Sequence, residues 1–224
     1  MAGQRAERAP GQAGRGDEEQ GRQVAEIVVP RVSGRTLPAA QAQSKYGPGA
    51  SDKEIVVGNI VKQPDMEAVV NSANANLRLG SGVAGAIHMA AGPKLEEYCK
   101  PYAPLALGAG LITPGFKLAN PWIIHVRSAH YINNDEPEKY MQMALESMLR
   151  LTNDNDIRSL AMPAIGTGMF KFPAMLAARI ICQSLHRAGE LAPFLQTLRI
   201  CLTDAAMVQL FESANAEVQA STVQ

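Results

Sequence analysis

The feature that most constrains the fold is a pair of glycine-rich turns, each following an apolar run of strand length. The first lies in residues 68–92 (AVVNSANANLRLGSGVAGAIHMAAG), where a polar elbow and a glycine turn precede a run of small residues. The second lies in residues 160–173 (LAMPAIGTGMFKFP). Strand, glycine turn and helix in that order place backbone N–H groups and a helix N-terminus around one cavity, which favours an anion. The sequence therefore predicts a phosphate-bearing ligand across neighbouring strand ends of an α/β sheet.

Apolar runs and helical patterns alternate after residue 52, which predicts an α/β fold whose sheet is covered on both faces. The predicted strands are 54–57, 68–71, 111–113, 122–126, 159–165 and 197–202, and the predicted helices are 83–91, 94–100, 138–151, 174–188 and 205–214. Met141 and Met148 fall on the apolar stripe of the third helix and are predicted to be core residues. Asp135 with Glu138 predicts a capping box at its start, with Pro137 in the first turn.

Composition divides the chain into three expected segments: a disordered N-terminal extension (1–51), one domain (52–216) and a short flexible tail (217–224). Residues 1–51 hold eight of the 19 glycines, four prolines and one aromatic residue, so they cannot bury enough apolar surface to offset the entropy of ordering. Within them, residues 24–32 could form a short strand, which Pro30 would confine to a sheet edge.

Charge and cysteine content narrow the classes of function. The 21 basic and 21 acidic residues balance, so we expect no nucleic-acid partner. The three cysteines have no metal-ligand spacing and are odd in number, which favours buried thiols in a reducing, cytoplasmic compartment. No cluster has the spacing of metal ligands, so no metal is expected, and no run of 18 apolar residues predicts a membrane span.

The motifs themselves resemble those of a known family. Residues 71–74 (NSAN), 80–92 (GSGVAGAIHMAAG) and 163–173 (PAIGTGMFKFP) are similar to the signature segments of macrodomains, and the likeness extends from about residue 53 to 214. The resemblance implies a three-layer α/β/α sandwich with a central mixed six-stranded sheet. It also implies a monomer without a cofactor that binds ADP-ribose or an ADP-ribosylated protein.

The resemblance also assigns roles to residues. Asn74 is the predicted catalytic residue, which orients the distal ribose, whereas Asn71 is expected to be structural. Phe170 is expected to pack near the same ribose. From the residues alone, Asn74 could instead bond its own backbone and Phe170 could be a core aromatic. The implied ligand-binding residues are Asn59, Ile60, Asn74, Gly80, Gly82, Val83, Ala84, Ile165, Gly166, Thr167, Gly168, Met169 and Phe170.

Three departures from the family pattern keep alternative functions open. Asn59 stands where many macrodomains have an aspartate that accepts from the adenine amino group, and its amide oxygen is expected to take that role. Thr203 replaces an aromatic residue, and Ala84 replaces an aspartate of many hydrolases. The hypotheses are a hydrolase of the ADP-ribosyl linkage, a non-catalytic reader, and a binder of ADP-ribose-1''-phosphate or another ribose phosphate. His88 and His125 lie in apolar settings and are given no catalytic role.

Overall fold

The computed structural model describes residues 52–222, which form a six-stranded sheet between two layers of helices. All neighbouring strands are parallel except β3 and β4, which are antiparallel. The predicted α/β/α sandwich with a mixed sheet is therefore confirmed. The strands are β1 (Asp52–Val57), β2 (Ala68–Ser72), β3 (Gly110–Pro114), β4 (Trp122–Val126), β5 (Ser159–Pro163) and β6 (Thr197–Leu202), in the order β1-β6-β5-β2-β4-β3.

Successive residues of a strand point to opposite faces of the sheet, and helices cover both faces, so neighbouring strand residues are buried in different clusters. Val70 of β2 packs into one hydrophobic cluster and Val69 into the other, and both are fully buried. The predicted core methionines Met141 and Met148 are fully buried in the first cluster. The helices are α1 (Gly82–Ala91), α2 (Pro93–Cys99), α3 (Pro137–Asp154), α4 (Ala174–His186), α5 (Ala188–Leu191) and α6 (Ala205–Thr222), with a 3₁₀ turn at Lys100–Tyr102.

Several predicted boundaries are wrong. The strand predicted over 159–165 ends at Pro163, because the Ile165 N–H turns back to bond the Pro163 carbonyl at 2.9 Å. The helix predicted over 174–188 ends at His186, and a separate short helix follows. The last helix continues to Thr222, through residues 217–222 that composition assigned to a tail.

The predicted capping box at the start of α3 is also wrong. Glu136 precedes the helix with a left-handed backbone (φ 47°) and makes no side-chain cap bond. Glu138 is therefore the second helical residue, one position too early for a capping box. Pro137 is the first helical residue, as expected.

Three further sequence-based expectations concern the cysteines, the N-terminal extension and membrane-spanning helices. The three cysteines are free and buried, as predicted. The strand suggested at 24–32 lies outside the described residues, as does the whole N-terminal extension. Within residues 52–222, no helix combines the length and apolar character needed to cross a membrane.

Candidate functional site

A cavity of about 850 Å³ opens at the carboxyl ends of four parallel strands, β1, β6, β5 and β2. Its volume lies within the range of about 300–1,000 Å³ usual for small-molecule sites. Both glycine turns lie beside it, because they follow the adjacent strands β2 and β5. All the predicted ligand-binding residues line the cavity except Ile165. Ile165 is fully buried in the core instead.

The first glycine turn leads into the N-terminus of α1. Ser81 precedes the helix with an extended backbone (φ −92°, ψ 170°) and makes no side-chain cap bond. The first N–H groups of a helix lack intrahelical partners, so those at the start of α1 are left for an anion. Gly82 has φ 59° and needs glycine's conformational freedom. A Cβ on Gly85 would lie 2.3 Å from the Gly80 carbonyl oxygen, so the turn packs directly on the helix backbone.

The second glycine turn contains two glycines with different roles. Gly166 has φ 88°, and a Cβ there would lie 2.3 Å from Cε of Met141 and 2.9 Å from the ring of Phe172. Packing and the positive φ therefore favour glycine over any larger residue at position 166. A Cβ on Gly168 would meet no atom within 4 Å, although Gly168 lines the cavity. The backbone at Gly168 is therefore open to close approach by a ligand.

Asn74 lines the cavity, and its amide also holds the loop before the first turn. Its Nδ2 donates to the Arg78 carbonyl at 2.7 Å, and its Oδ1 accepts from the Arg78 N–H at 3.2 Å. This is the backbone-bonded arrangement that the residues alone left open. An amide has two N–H donors and two lone pairs, so one donor and one acceptor remain for a ligand.

A buried polar network lies directly behind the elbow. Asn71 Nδ2 lies 2.9 Å from His125 Nδ1, and Thr113 Oγ1 lies 3.0 Å from His125 Nε2. Burial, with a smaller effect of the nearby His88, lowers the pKa of His125 to about 3. The imidazole is neutral, accepts from Asn71 at Nδ1 and therefore donates from Nε2 to Thr113. Asn71 and His125 are both fully buried, which agrees with the structural position expected for Asn71.

The cavity end beside β1 and β6 carries two polar side chains that are already engaged. Asn59 Oδ1 accepts from the Val61 N–H at 3.1 Å. This is the oxygen that the family resemblance assigned to the adenine amino group. Thr203 Oγ1 donates to Asp204 Oδ2 at 2.9 Å, and Asp204 Oδ1 accepts from the Met207 N–H at the start of α6. That backbone bond, with the Thr203 bond, lowers the pKa of Asp204.

The cavity lining is almost free of ionisable groups. Among its residues in the described chain, only Cys201 carries one, and burial raises the pKa of that thiol to about 11. The thiol is therefore protonated at neutral pH and is not an activated nucleophile. Across residues 52–222, no group of three or more His, Cys, Asp or Glu residues is placed to hold a metal ion.

Sequence reasoning missed several lining residues because they are small or apolar. Four of them, Val57, Ser72, Pro163 and Leu202, are each the last residue of a parallel strand. That position is the signal that could have identified them, since ligands bind outside the carboxyl ends of parallel strands. The other lining residues outside the predicted ligand-binding set are Gly58, Ala86, Ala164, Cys201 and Met207, with Ser81 of the first glycine turn.

A family profile, curated relatives and solved structures were each found to be similar to this chain. The family profile described as Macro domain matches residues 70–181. A macro domain-containing protein of Lactiplantibacillus plantarum is 33% identical over 72% of this chain and 94% of its own length. An O-acetyl-ADP-ribose deacetylase of Salmonella gallinarum is 36% identical over 59% of this chain and 76% of its own. A mutant Oceanobacillus iheyensis macrodomain solved with ADPR has a TM-score of 0.68 and 28% identity, covering 75% of this chain and 92% of that one.

Proposed function

Since the chain belongs to the macro domain family, we propose that its cavity binds ADP-ribose, free or attached to a protein, and hydrolyses a linkage at the distal ribose. The observation that carries the proposal is the convergence of both glycine turns on one cavity at the ends of β2 and β5. The Oceanobacillus iheyensis macrodomain with ADPR supports the ligand, and the O-acetyl-ADP-ribose deacetylase of Salmonella supports the chemistry.

The chain contributes position and electrostatics to this reaction. Backbone N–H groups at the start of α1 and in the turn at Gly168 hold the diphosphate, helped by the positive end of the α1 dipole. The donor and acceptor that Asn74 retains hold the ribose hydroxyls. A water near the anomeric end attacks the ester linkage, the ester C–O bond breaks, the acid is released as a carboxylate and the ribose keeps its hydroxyl. The barrier to this attack falls because the ribose is held in place.

No lining side chain of the described residues acts as an acid or base near neutral pH, because Cys201 is the one ionisable group and it stays protonated. The proton of the attacking water therefore passes to the bound ligand's own phosphate or to solvent. The same observation favours a second candidate function, a reader that binds ADP-ribosylated proteins without cleaving them. Ala84, where many hydrolases carry an aspartate, points the same way.

Binding is tested by calorimetric titration of ADP-ribose, with AMP and ribose 5-phosphate for comparison. We expect a valine at Gly168 to extend into the proposed phosphate site, and its Cβ would meet no protein atom within 4 Å. Loss of one or two charge-assisted bonds predicts weaker binding by on the order of a hundredfold in Gly168→Val, with unchanged thermal stability. Gly166→Val is the contrasting variant, which the positive φ of 88° and the close approach to the Phe172 ring should destabilise. Unchanged affinity in a folded Gly168→Val protein would contradict the site.

Catalysis is tested separately, by following release of acetate from O-acetyl-ADP-ribose and of ADP-ribose from a modified protein. Turnover that is lost in Asn74→Ala while the affinity falls only modestly supports the hydrolase. Binding of both compounds with no turnover above the rate in buffer supports the reader.

A further inference from the structure

The cavity has a half that suits phosphates and a half that suits a base. The glycine turns and the start of α1 lie beside β2 and β5. The half beside β1 and β6 is lined by apolar side chains, among them Val57, Leu202 and Met207. A nucleoside diphosphate with its phosphates at the turns therefore places its flat base among these side chains. The polar groups in this half decide which base fits.

Asn59 is held so that its amide nitrogen is the free end. The Val61 N–H can bond only an acceptor, so the atom 3.1 Å from it must be the amide oxygen. The Asn59 backbone carbonyl accepts from Gln63 Nε2 and from the Lys62 N–H, both at 2.9 Å, which holds the residue in place. Within residues 52–222, Asn59 Nδ2 has no partner. Asn59 lines the cavity, and Nδ2, a donor group, is the part of its amide that is free to bond a ligand.

Thr203, in contrast to Asn59, is left with hydrogen-bond acceptor capacity only. Its hydroxyl hydrogen is used in the bond to Asp204 Oδ2, because an ionised carboxylate only accepts. The lone pairs of Thr203 Oγ1 remain, so this side chain accepts. Of these two polar side chains, Asn59 thus offers a donor group, Nδ2, and Thr203 offers an acceptor, Oγ1.

From this arrangement we infer that Asn59 donates to the base, so that the site binds a purine with a carbonyl at C6 at least as well as adenine. A 6-oxopurine carries a carbonyl acceptor for Asn59 Nδ2 and a neighbouring N1–H donor for Thr203. Adenine carries an amino donor in place of that carbonyl, and two N–H groups facing each other cannot bond. The inference rests on the proposed function and names the ligand class of the same site.

An aspartate at position 59 reverses the polarity without disturbing the loop. One carboxylate oxygen accepts from the Val61 N–H as the amide oxygen does, and the other replaces the free amide nitrogen with an acceptor. That acceptor suits the amino group of adenine and repels the carbonyl of a 6-oxopurine. If the base contacts Asn59, the ratio of the affinities for an adenine ligand and a 6-oxopurine ligand must therefore differ between the wild type and this variant.

The experiment titrates ADP-ribose and inosine diphosphate ribose, which differ only at the base, into the full chain and into Asn59→Asp. We expect the wild type to bind the inosine compound at least as tightly as ADP-ribose, with an equal or lower dissociation constant. In Asn59→Asp the ratio of the two constants shifts by about tenfold towards ADP-ribose. Gln209→Glu is the control, because it adds the same charge on exposed α6 surface outside the cavity and leaves the ratio unchanged.

Two results would overturn the inference and leave the proposed function standing. One is a wild-type preference for ADP-ribose above tenfold with an unchanged ratio in Asn59→Asp. The other is a shift of the ratio towards the inosine compound, which would mean that Asn59 donates to N1 of adenine. Failure of the inosine compound alone to bind the wild type would likewise overturn the inference, whereas failure of ADP-ribose to bind would reject the proposed function itself.

Discussion

At the scale of single residues, His125 connects the sheet to the polar elbow. It lies on β4 and bonds Asn71 on β2 and Thr113 on β3, so one imidazole joins three adjacent strands. Asn71 stands next to Ser72, which lines the cavity, and three residues before Asn74. The neutral imidazole therefore supports the position of the elbow from inside the core.

This burial predicts that acid destabilises the protein. His125 has a pKa of about 3 in the fold, while the unfolded value is near 6.5, so between these values the unfolded state binds the additional proton. The free energy of unfolding should therefore fall as the pH drops below about 6.5, by about 2 kcal/mol at pH 5 from His125 alone. Burial also lowers the pKa of His88, which adds in the same direction.

Urea unfolding at pH 7.5 and pH 5 measures this loss. His125→Gln serves as the comparison, because glutamine does not titrate. It should be less stable than the wild type at pH 7.5 and should lose less stability at pH 5. An equal loss in both proteins would show that other groups carry the acid sensitivity.

At the scale of elements, α1 depends on its small residues for contact with the glycine turn. Glycine inside a helix normally costs about 0.5–1 kcal/mol relative to alanine. At Gly85 the packing reverses that preference, because a Cβ would lie 2.3 Å from the Gly80 carbonyl oxygen. Glycine at this position therefore lets the turn pack directly against the helix beside the cavity.

Gly85→Ala should therefore lower stability and weaken ligand binding together. Overpacking of this kind costs about 1–3 kcal/mol, and displacement of the turn should raise the dissociation constant for ADP-ribose on the order of tenfold. Thermal unfolding and titration measure the two effects. Met89→Ala is the control on the same helix, since Met89 is 78% exposed and should leave binding unchanged. A more stable Gly85→Ala protein would mean that the turn is not held by this contact.

At the scale of the whole molecule, the cavity is assembled from four strand ends that are far apart in the chain. Residues 52–222 supply the six strands, the two hydrophobic clusters and every lining residue described above. The first of them, Asp52, already bonds the Gln196 carbonyl at 3.1 Å through its N–H.

Because the composition of residues 1–50 offers little apolar surface to bury, their removal should leave the thermal midpoint and the affinity for ADP-ribose unchanged. The measurement compares the full and shortened chains by thermal unfolding and titration. A fall of several degrees in the shortened chain would mean that part of residues 1–50, such as 24–32, contributes to the stability of the sheet.

Local patterns predicted the elements that are set by the order of neighbouring residues. The strands at 122–126 and 197–202 and the buried stripe of α3 follow from apolar runs and periodicity, and both glycine turns follow from their residues. The motif resemblance likewise placed the predicted ligand-binding residues on one cavity, apart from Ile165. The strands, the helical stripe and the turns depend on contacts within a few residues along the chain, whereas the shared cavity was predicted from the motif resemblance and not from local contacts.

Tertiary structure decided what depends on distant partners. Helix α6 continues to Thr222 because its later turns pack on α4, where Arg179 pairs with Glu217 at 2.9 Å. Ile165 does not line the cavity because its side chain is fully buried in the first hydrophobic cluster. The side-chain amides of Asn59 and Asn74 are oriented by hydrogen bonds to nearby backbone groups, the Val61 N–H for Asn59 and the Arg78 carbonyl for Asn74. Hydrogen bonds and packing of this kind form only after the loops are folded, so residue order alone does not specify them.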